Sequence, residues 1–340
     1  MYKERIEKIL AELSVGLFER EECLKLVLLS MFAGKSIFLY GPPGTAKSMI
    51  ARRASLAFDT LGNSRIPSEN SRIPNKNKGF FAYLMNRFST PEEIFGPIDI
   101  SELKKNNLTR KTDGYLPTAH FAFLDEIWKS SPAILNTLLT IINERIYRDG
   151  NTDVKVPLKG IVCASNEFPP ANQGLEALYD RMILRYFVKP LNEKENFEKL
   201  FKSKQSTEPS VSMSFSADEL DTVLKNRENI DFSPQAMSLV HRLDNANEKY
   251  RAEILGEIED FTPIYVSDRR WKERASLLQT VALLAHALWS DENNKELISK
   301  ILEIVFSGMD STADDEINSL KSDSTKLRAL YRKRPLYQKW

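Results

Sequence analysis

No stretch of this sequence is long and apolar enough to cross a membrane: a span needs about 18 or more apolar residues in a row, and charged residues interrupt every window sooner. The N-terminus, Met-Tyr-Lys-Glu-Arg-Ile-Glu-Lys-Ile-Leu, lacks the unbroken apolar core of a secretory leader and reads as a mature helix. A soluble, cytoplasmic protein is the expectation. Cysteine is scarce as well. Cys23 falls in a helical pattern and Cys163 in a strand-like run, with neither metal-ligand spacing nor a disulfide framework, so both read as buried thiols of a reducing compartment. Charge of one sign is also missing. With 48 basic and 47 acidic residues the formal net charge is +1, so no overall field draws in nucleic acid or an anionic membrane, although a local basic patch stays open. No basic stripe interleaved with aromatics suggests a nucleic-acid module either.

What is present is enough for a substantial core. At 340 residues, with 42% hydrophobic and 28% charged residues, the chain has material for one large core or two smaller ones, and two domains are expected. Residues 3–33 carry apolar positions at helical spacing, broken near Gly16, which predicts two consecutive helices. The period then changes. Ser36-Ile37-Phe38-Leu39-Tyr40 is a short apolar run bounded by glycines, as a strand buried on both faces of a parallel sheet should be. Similar runs at 120–124, 159–164 and 182–188 alternate with helical patterns at 132–142 and 175–180. That alternation predicts an α/β domain of three αβα layers. Beyond Val188 the period is helical, with helices expected near 217–224, 234–250 and 268–289. Between the first strand and the next, Asn-Ser-Arg-Ile-Pro occurs twice within 63–74, and its proline, asparagine and serine content predicts a solvated loop enlarged by duplication.

Three strand ends carry chemistry. Gly41-Pro42-Pro43-Gly44-Thr45-Ala46-Lys47-Ser48 follows a buried strand and opens a helix, the setting in which backbone N–H groups and a helix N-terminus cradle phosphates. Lys47 would reach the β and γ oxygens of ATP and the Ser48 hydroxyl would ligate Mg²⁺. Ala46 stands where glycine is usual, so the loop is expected to hold it at backbone angles that alanine tolerates. Phe121-Ala122-Phe123-Leu124-Asp125-Glu126 is an apolar strand ending in two carboxylates. Asp125 would organise Mg²⁺ through its waters and Glu126 would orient and polarise the attacking water. A third buried strand, Ile161-Val162-Cys163-Ala164-Ser165, ends at Asn166, which is suited to hold that water or the γ-phosphate and is otherwise a turn former.

With these residues in place the chain strongly resembles the MoxR branch of AAA+ ATPases, and within it the RavA group. The resemblance is carried by 41–48, by Arg87-Phe88-Ser89-Thr90-Pro91-Glu92-Glu93-Ile94-Phe95-Gly96-Pro97, by Gly114-Tyr115-Leu116-Pro117, by 123–129, 132–145, 164–167 and 175–182, and by Tyr265-Val266-Ser267-Asp268-Arg269-Arg270-Trp271. It implies a P-loop AAA+ domain with a parallel five-stranded sheet, followed by a smaller all-helical lid. It implies that Arg181 is an arginine finger reaching a neighbouring subunit's ATP, and that Arg269, or Arg270 beside it, is the lid arginine that touches the γ-phosphate. The segment 95–117 fits the hairpin this clade inserts in the second helix of its α/β domain, though it shows no aromatic pore-loop signature.

The organisation expected is an α/β nucleotide-binding domain over 1–189 (with the inserted loop at about 60–79), a helical lid over 190–300, and a charged tail over 301–340 from which a longer relative would continue. The resemblance implies an ATPase working as a ring, expected to be hexameric, which remodels or matures a protein client alongside a von Willebrand factor A (VWA) domain partner. Two other classes share the layout: a nucleic-acid motor, against which the balanced charge speaks, and a nucleotide-gated scaffold with weak hydrolysis, which only Ala46 favours.

Overall fold

The computed structural model describes residues 2–59, 79–150, 152–168, 175–202, 209, 211–230 and 268–288. The repeated Asn-Ser-Arg-Ile-Pro segment, the helix expected at 234–250 and the tail from 301 lie outside them. Two helices open the chain, α1 (Lys3–Ser14) and α2 (Glu21–Ala33), the second ended by Gly34 in the left-handed region (φ 68°). Strand β1 (Ser36–Tyr40) leads into α3 (Lys47–Ser55), followed by the short β2 (Phe58–Asp59) and by β3 (Phe80–Leu84). Two small helices, α4 (Pro91–Phe95) and α5 (Ile100–Leu103), precede β4 (Phe121–Asp125) and the long α6 (Pro132–Glu144). A hairpin of β5 (Ile146–Asp149) and β6 (Thr152–Lys155) comes before β7 (Gly160–Ser165), α7 (Glu176–Asp180) and β8 (Leu184–Phe187). The described chain closes with α8 (Lys194–Lys202), β9 (Phe215–Ser216), α9 (Ala217–Arg227) and α10 (Asp268–Leu288).

Strands β3, β4, β7, β1 and β8 lie side by side in that order, every pair parallel. Apolar residues fill consecutive positions because both faces are covered, and their alternation assigns them to two cores. Ile37, Leu39, Phe121, Phe123, Val162 and Ala164 pack under α1, α2 and α3. Phe38, Ala122, Leu124, Ile161 and Cys163 pack on the opposite face under α6 and α7. The three-layer αβα reading therefore holds, with a parallel five-stranded sheet. Helices α9 and α10 join the first core through Leu220, Val223, Leu277, Val281 and Leu284, and β9 pairs in parallel with β2.

One local expectation is narrowed. Within 95–117 the hairpin pairing is limited to an isolated antiparallel bridge of Ile98 and Arg110, flanked by the hydrogen bonds Asp99 N–H to the Thr109 carbonyl (2.8 Å) and Lys111 N–H to the Pro97 carbonyl (2.8 Å), around α5. Arg110 holds it, donating from its side chain to Glu92 (3.0 Å) and the Gly96 carbonyl (2.8 Å), while its backbone N–H donates to Asp149 (2.9 Å). The regular hairpin is β5–β6, turning at Gly150 (φ 60°). Both cysteines are free and buried, and burial pushes the Cys23 thiol up to about 12 and Cys163 higher still, as inert core thiols. No helix among the described residues is long and apolar enough to cross a membrane.

Candidate active site

Because the sheet is parallel, β1, β4 and β7 deliver their last residues to one edge, where ligands of open α/β sheets gather. The loop 41–46 leaves β1 there and α3 starts at Lys47, so the positive end of that helix faces the loop. Two glycines are required by geometry. A Cβ on Gly41 would lie 2.5 Å from the carbonyl oxygen of Val188, and Gly44 has φ 78°. Ala46 also sits in the left-handed region (φ 68°, ψ 21°), against the expectation that the loop would spare alanine that conformation. The strain is of the order of 1–2 kcal/mol, and the surrounding bonds hold it. Thr45 Oγ1 donates to the Pro42 carbonyl (2.9 Å), and the buried Arg20 donates from Nε to the Thr45 carbonyl (3.1 Å).

Lys47 is turned inward, its Nζ donating to the carbonyls of Gly41 (2.7 Å) and Pro42 (2.9 Å) and to Asn166 Oδ1 (2.8 Å). Burial pulls its pKa below the usual lysine value, with Asp125 and Glu126 pulling back. Asn166 passes the contact on, donating from Nδ2 to Glu126 Oε1 (2.7 Å). The other Glu126 oxygen receives Lys129 Nζ (3.2 Å) and Ser165 Oγ (3.4 Å). Ser48 Oγ donates to Asp125 Oδ2 (3.1 Å), whose Oδ1 accepts the Glu126 N–H (3.0 Å). Glu126 holds φ 51°, a strained angle of the kind found where structure over-determines a functional residue. Lys47, Ser48, Asp125, Glu126 and Asn166 thus form one connected network at the carboxyl edge. A cradle that a Cβ would block at Gly41, together with a hydroxyl and a carboxylate already in contact, fits a phosphate chain and its divalent cation.

Sequence reasoning missed the neighbouring cavity of about 260 Å³ lined by Glu19, Arg20, Tyr186, Val188, Pro190 and Asn192. Glu19 (φ 55°) accepts from the backbone N–H groups of Asn192 (2.8 Å) and Glu193 (3.0 Å) and from Asn196 Nδ2 (3.2 Å), tying the start of α2 to the segment entering α8. These partners lower its carboxyl pKa against the opposing effect of burial. The positive φ of Glu19 and its pairing across 173 residues left no local signal to find it by.

The two expected arginines lie elsewhere. Arg181 caps α7 and donates to the Asn143 side chain and the Ala177 carbonyl. The resemblance placed Arg269 at the γ-phosphate, whereas here its Nη2 lies 3.0 Å from Asp180 Oδ2, beside Arg181. Both line a cavity with Lys35 and Ser36, where β1 begins. Five residues of strand, roughly 13 Å at about 3.3 Å per residue, separate that edge from the phosphate loop. Of Arg270 the backbone alone is described.

Gly41→Ala is expected to force β8 away from the loop, lowering stability by about 1–3 kcal/mol and weakening nucleotide binding. Thermal denaturation with and without ATP checks this, and an unchanged melting temperature would mean that the Val188 carbonyl yields freely.

Known proteins resolve the family. The MoxR domain of the MoxR–vWA–β-propeller ternary systems matches residues 4–66 and 69–225, and an AAA lid domain matches 248–302. Two uncharacterized proteins of Methanocaldococcus jannaschii are each 34% identical to the chain, over 313 residues (88% of this chain, 73% of the relative) and 297 residues (87% and 70%). A crystal structure of a candidate ATPase from Cytophaga hutchinsonii superposes with a TM-score of 0.66 over 96% of this chain and 94% of its own, at 18% identity, a likeness of fold. The chain belongs to the MoxR family of AAA+ ATPases.

Proposed function

We propose that the chain hydrolyses ATP with Mg²⁺ at sites shared between subunits of a ring, a hexamer by resemblance to the RavA group, and that hydrolysis drives remodelling or maturation of a protein client. One observation carries the reading: the network of Lys47, Ser48, Asp125, Glu126 and Asn166 stands at the carboxyl edge of the sheet, and Arg181 stands at the other. Arg181 cannot serve the phosphate loop of its own chain, so a finger role requires a second copy. The same holds for Arg269, which we assign to the neighbour-facing edge.

The role of each residue follows from its contacts. Gly41, Pro42, Pro43, Gly44, Thr45 and Ala46 form the phosphate loop, and Lys47 would exchange its carbonyl partners for phosphate oxygens. Ser48 and Asp125 would hold Mg²⁺, which when bound neutralises charge on the phosphates. Glu126 would accept from the attacking water once a donor such as Asn166 turns toward phosphate. The Glu19–Arg20 cavity, adjoining the loop through Thr45, is proposed for the nucleoside end.

The family's description supports a VWA-domain partner. A peptide-contacting surface has support in Phe88, 90% exposed on a turn held by Asn86 and Ser89, with Leu84 exposed nearby. A shared site predicts that ATPase activity per subunit rises with protein concentration over the range in which light scattering records assembly. Monomers as active as assembled protein would overturn the reading.

A further inference from the structure

The donors that hold the Glu126 carboxylate differ in what else they do. Its Oε1 accepts from Asn166 Nδ2 (2.7 Å), while its Oε2 receives Lys129 Nζ (3.2 Å) and, more loosely, Ser165 Oγ (3.4 Å). Asn166 is also engaged through its Oδ1, which accepts from Lys47 Nζ (2.8 Å). In the proposed site both Lys47 and Asn166 turn toward phosphate. That movement frees Oε1 for the water and leaves Oε2 to Lys129 and Ser165. A neutral hydroxyl at 3.4 Å fixes a carboxylate poorly, whereas an ammonium at 3.2 Å makes a charge-assisted contact. Lys129 is then the strong contact that sets which way the carboxylate faces.

The local backbone puts Lys129 there. Glu126 (φ 51°) opens a single 3-10 turn, Ile127–Lys129, closed by the Lys129 N–H donating to the Glu126 carbonyl (2.9 Å). Ile127 is buried, and the buried Trp128 ring packs on Phe38 and Tyr179, with centroids 5.3 and 6.0 Å apart. Two apolar anchors thus fix the turn in the core, and its third residue leans back over the carboxylate that begins it. The pair is lopsided: the Lys129 side chain is 42% exposed, that of Glu126 only 11%. A pair with so exposed a cation adds little to the stability of the fold, so its consequence lies in the orientation of the buried partner.

We propose that Lys129 is a positioning residue for ATP hydrolysis: its ammonium pins Oε2 of Glu126, so that Oε1 faces the attacking water and takes its proton. The inference rests on the proposed ATPase reading and deepens it. A base displaced by even about 1 Å loses much of its effect, on the order of 10²-fold.

The full chain carrying Lys129→Met, which keeps the length of the side chain without its charge, tests this. Steady-state hydrolysis is expected to fall roughly 10–10²-fold in kcat with KM nearly unchanged, because the phosphate loop is held through Lys47, Thr45 and Arg20. Fluorescent-nucleotide titration at wild-type affinity shows in the same samples that the variant is folded. Lys129→Arg, which restores a donor and the charge, should recover most of the loss. The decisive arm is the double variant: with Glu126→Gln already present, single-turnover hydrolysis should change by less than about twofold on adding Lys129→Met, since a residue acting through Glu126 has nothing left to position. Turnover at or above wild type in Lys129→Met, no recovery in Lys129→Arg, or an equal loss in the Glu126→Gln background overturns the proposal. An inactive wild-type chain would overturn the ATPase reading together with this one, whereas an active wild type beside an indifferent Lys129→Met overturns this one alone.

Discussion

Glu126→Gln is expected to bind ATP about as well as the wild type and to turn it over roughly 10²–10⁴-fold more slowly, the range typical for loss of a positioned general base. Binding should survive because the loop's own contacts run through Lys47, Ser48 and Arg20, none of which bonds to Glu126. The substitution also keeps the shape of the site, since the amide oxygen can still accept from Asn166 Nδ2, as Glu126 Oε1 does at 2.7 Å. What disappears is negative charge at the one side chain that Asn166, Lys129 and Ser165 all converge on. The loss should therefore fall on kcat with little change in KM. Fluorescent-nucleotide titration measures the binding and phosphate release the turnover. Wild-type turnover in the variant would remove Glu126 from the mechanism.

The carboxyl edge of the site was legible in the sequence because its parts are local. A strand buried on both faces is a continuous apolar run, and whatever ends a strand of a parallel sheet lands on the ligand edge; Asp125, Glu126 and Asn166 stand at such strand ends, and the phosphate loop beside them singled them out from ordinary capping and turn residues. The features that escaped depend on pairings distant in sequence. Glu19 meets Asn192 and Glu193, Arg145 meets Gly34, and Arg269 meets Asp180, contacts that no periodicity encodes. Ala46 escaped for another reason. Its residue type argues against a left-handed angle, and the bonds of Thr45, Arg20 and Lys47 around it outweigh that local preference. The β5–β6 hairpin did carry a signal, Asp149-Gly150 between alternating residues, but it was hidden beside the apolar period of α6.

Mixing two inactive variants should restore activity if the sites are shared. Arg181→Ala removes the finger and is expected to cost roughly 10³–10⁵-fold in turnover, the range seen where an arginine completes a phosphoryl-transfer site. Lys47→Ala removes nucleotide binding at the other edge. In a head-to-tail assembly each contact pairs the carboxyl edge of one copy with the amino edge of the next, so an equal mixture makes intact sites at about a quarter of its contacts. Activity should therefore return to about that fraction of wild type, far above either parent. The geometry makes the outcome specific: Arg181 lies with Lys35 and Ser36 where β1 begins, and Lys47 follows where β1 ends. A finger acting within its own chain would need to cross the sheet, and neither variant could then help the other. Mixed assemblies confirmed by differential tagging that stay inactive would rule out Arg181 as the shared residue, leaving Arg269 of the same cavity to be tested by the same exchange.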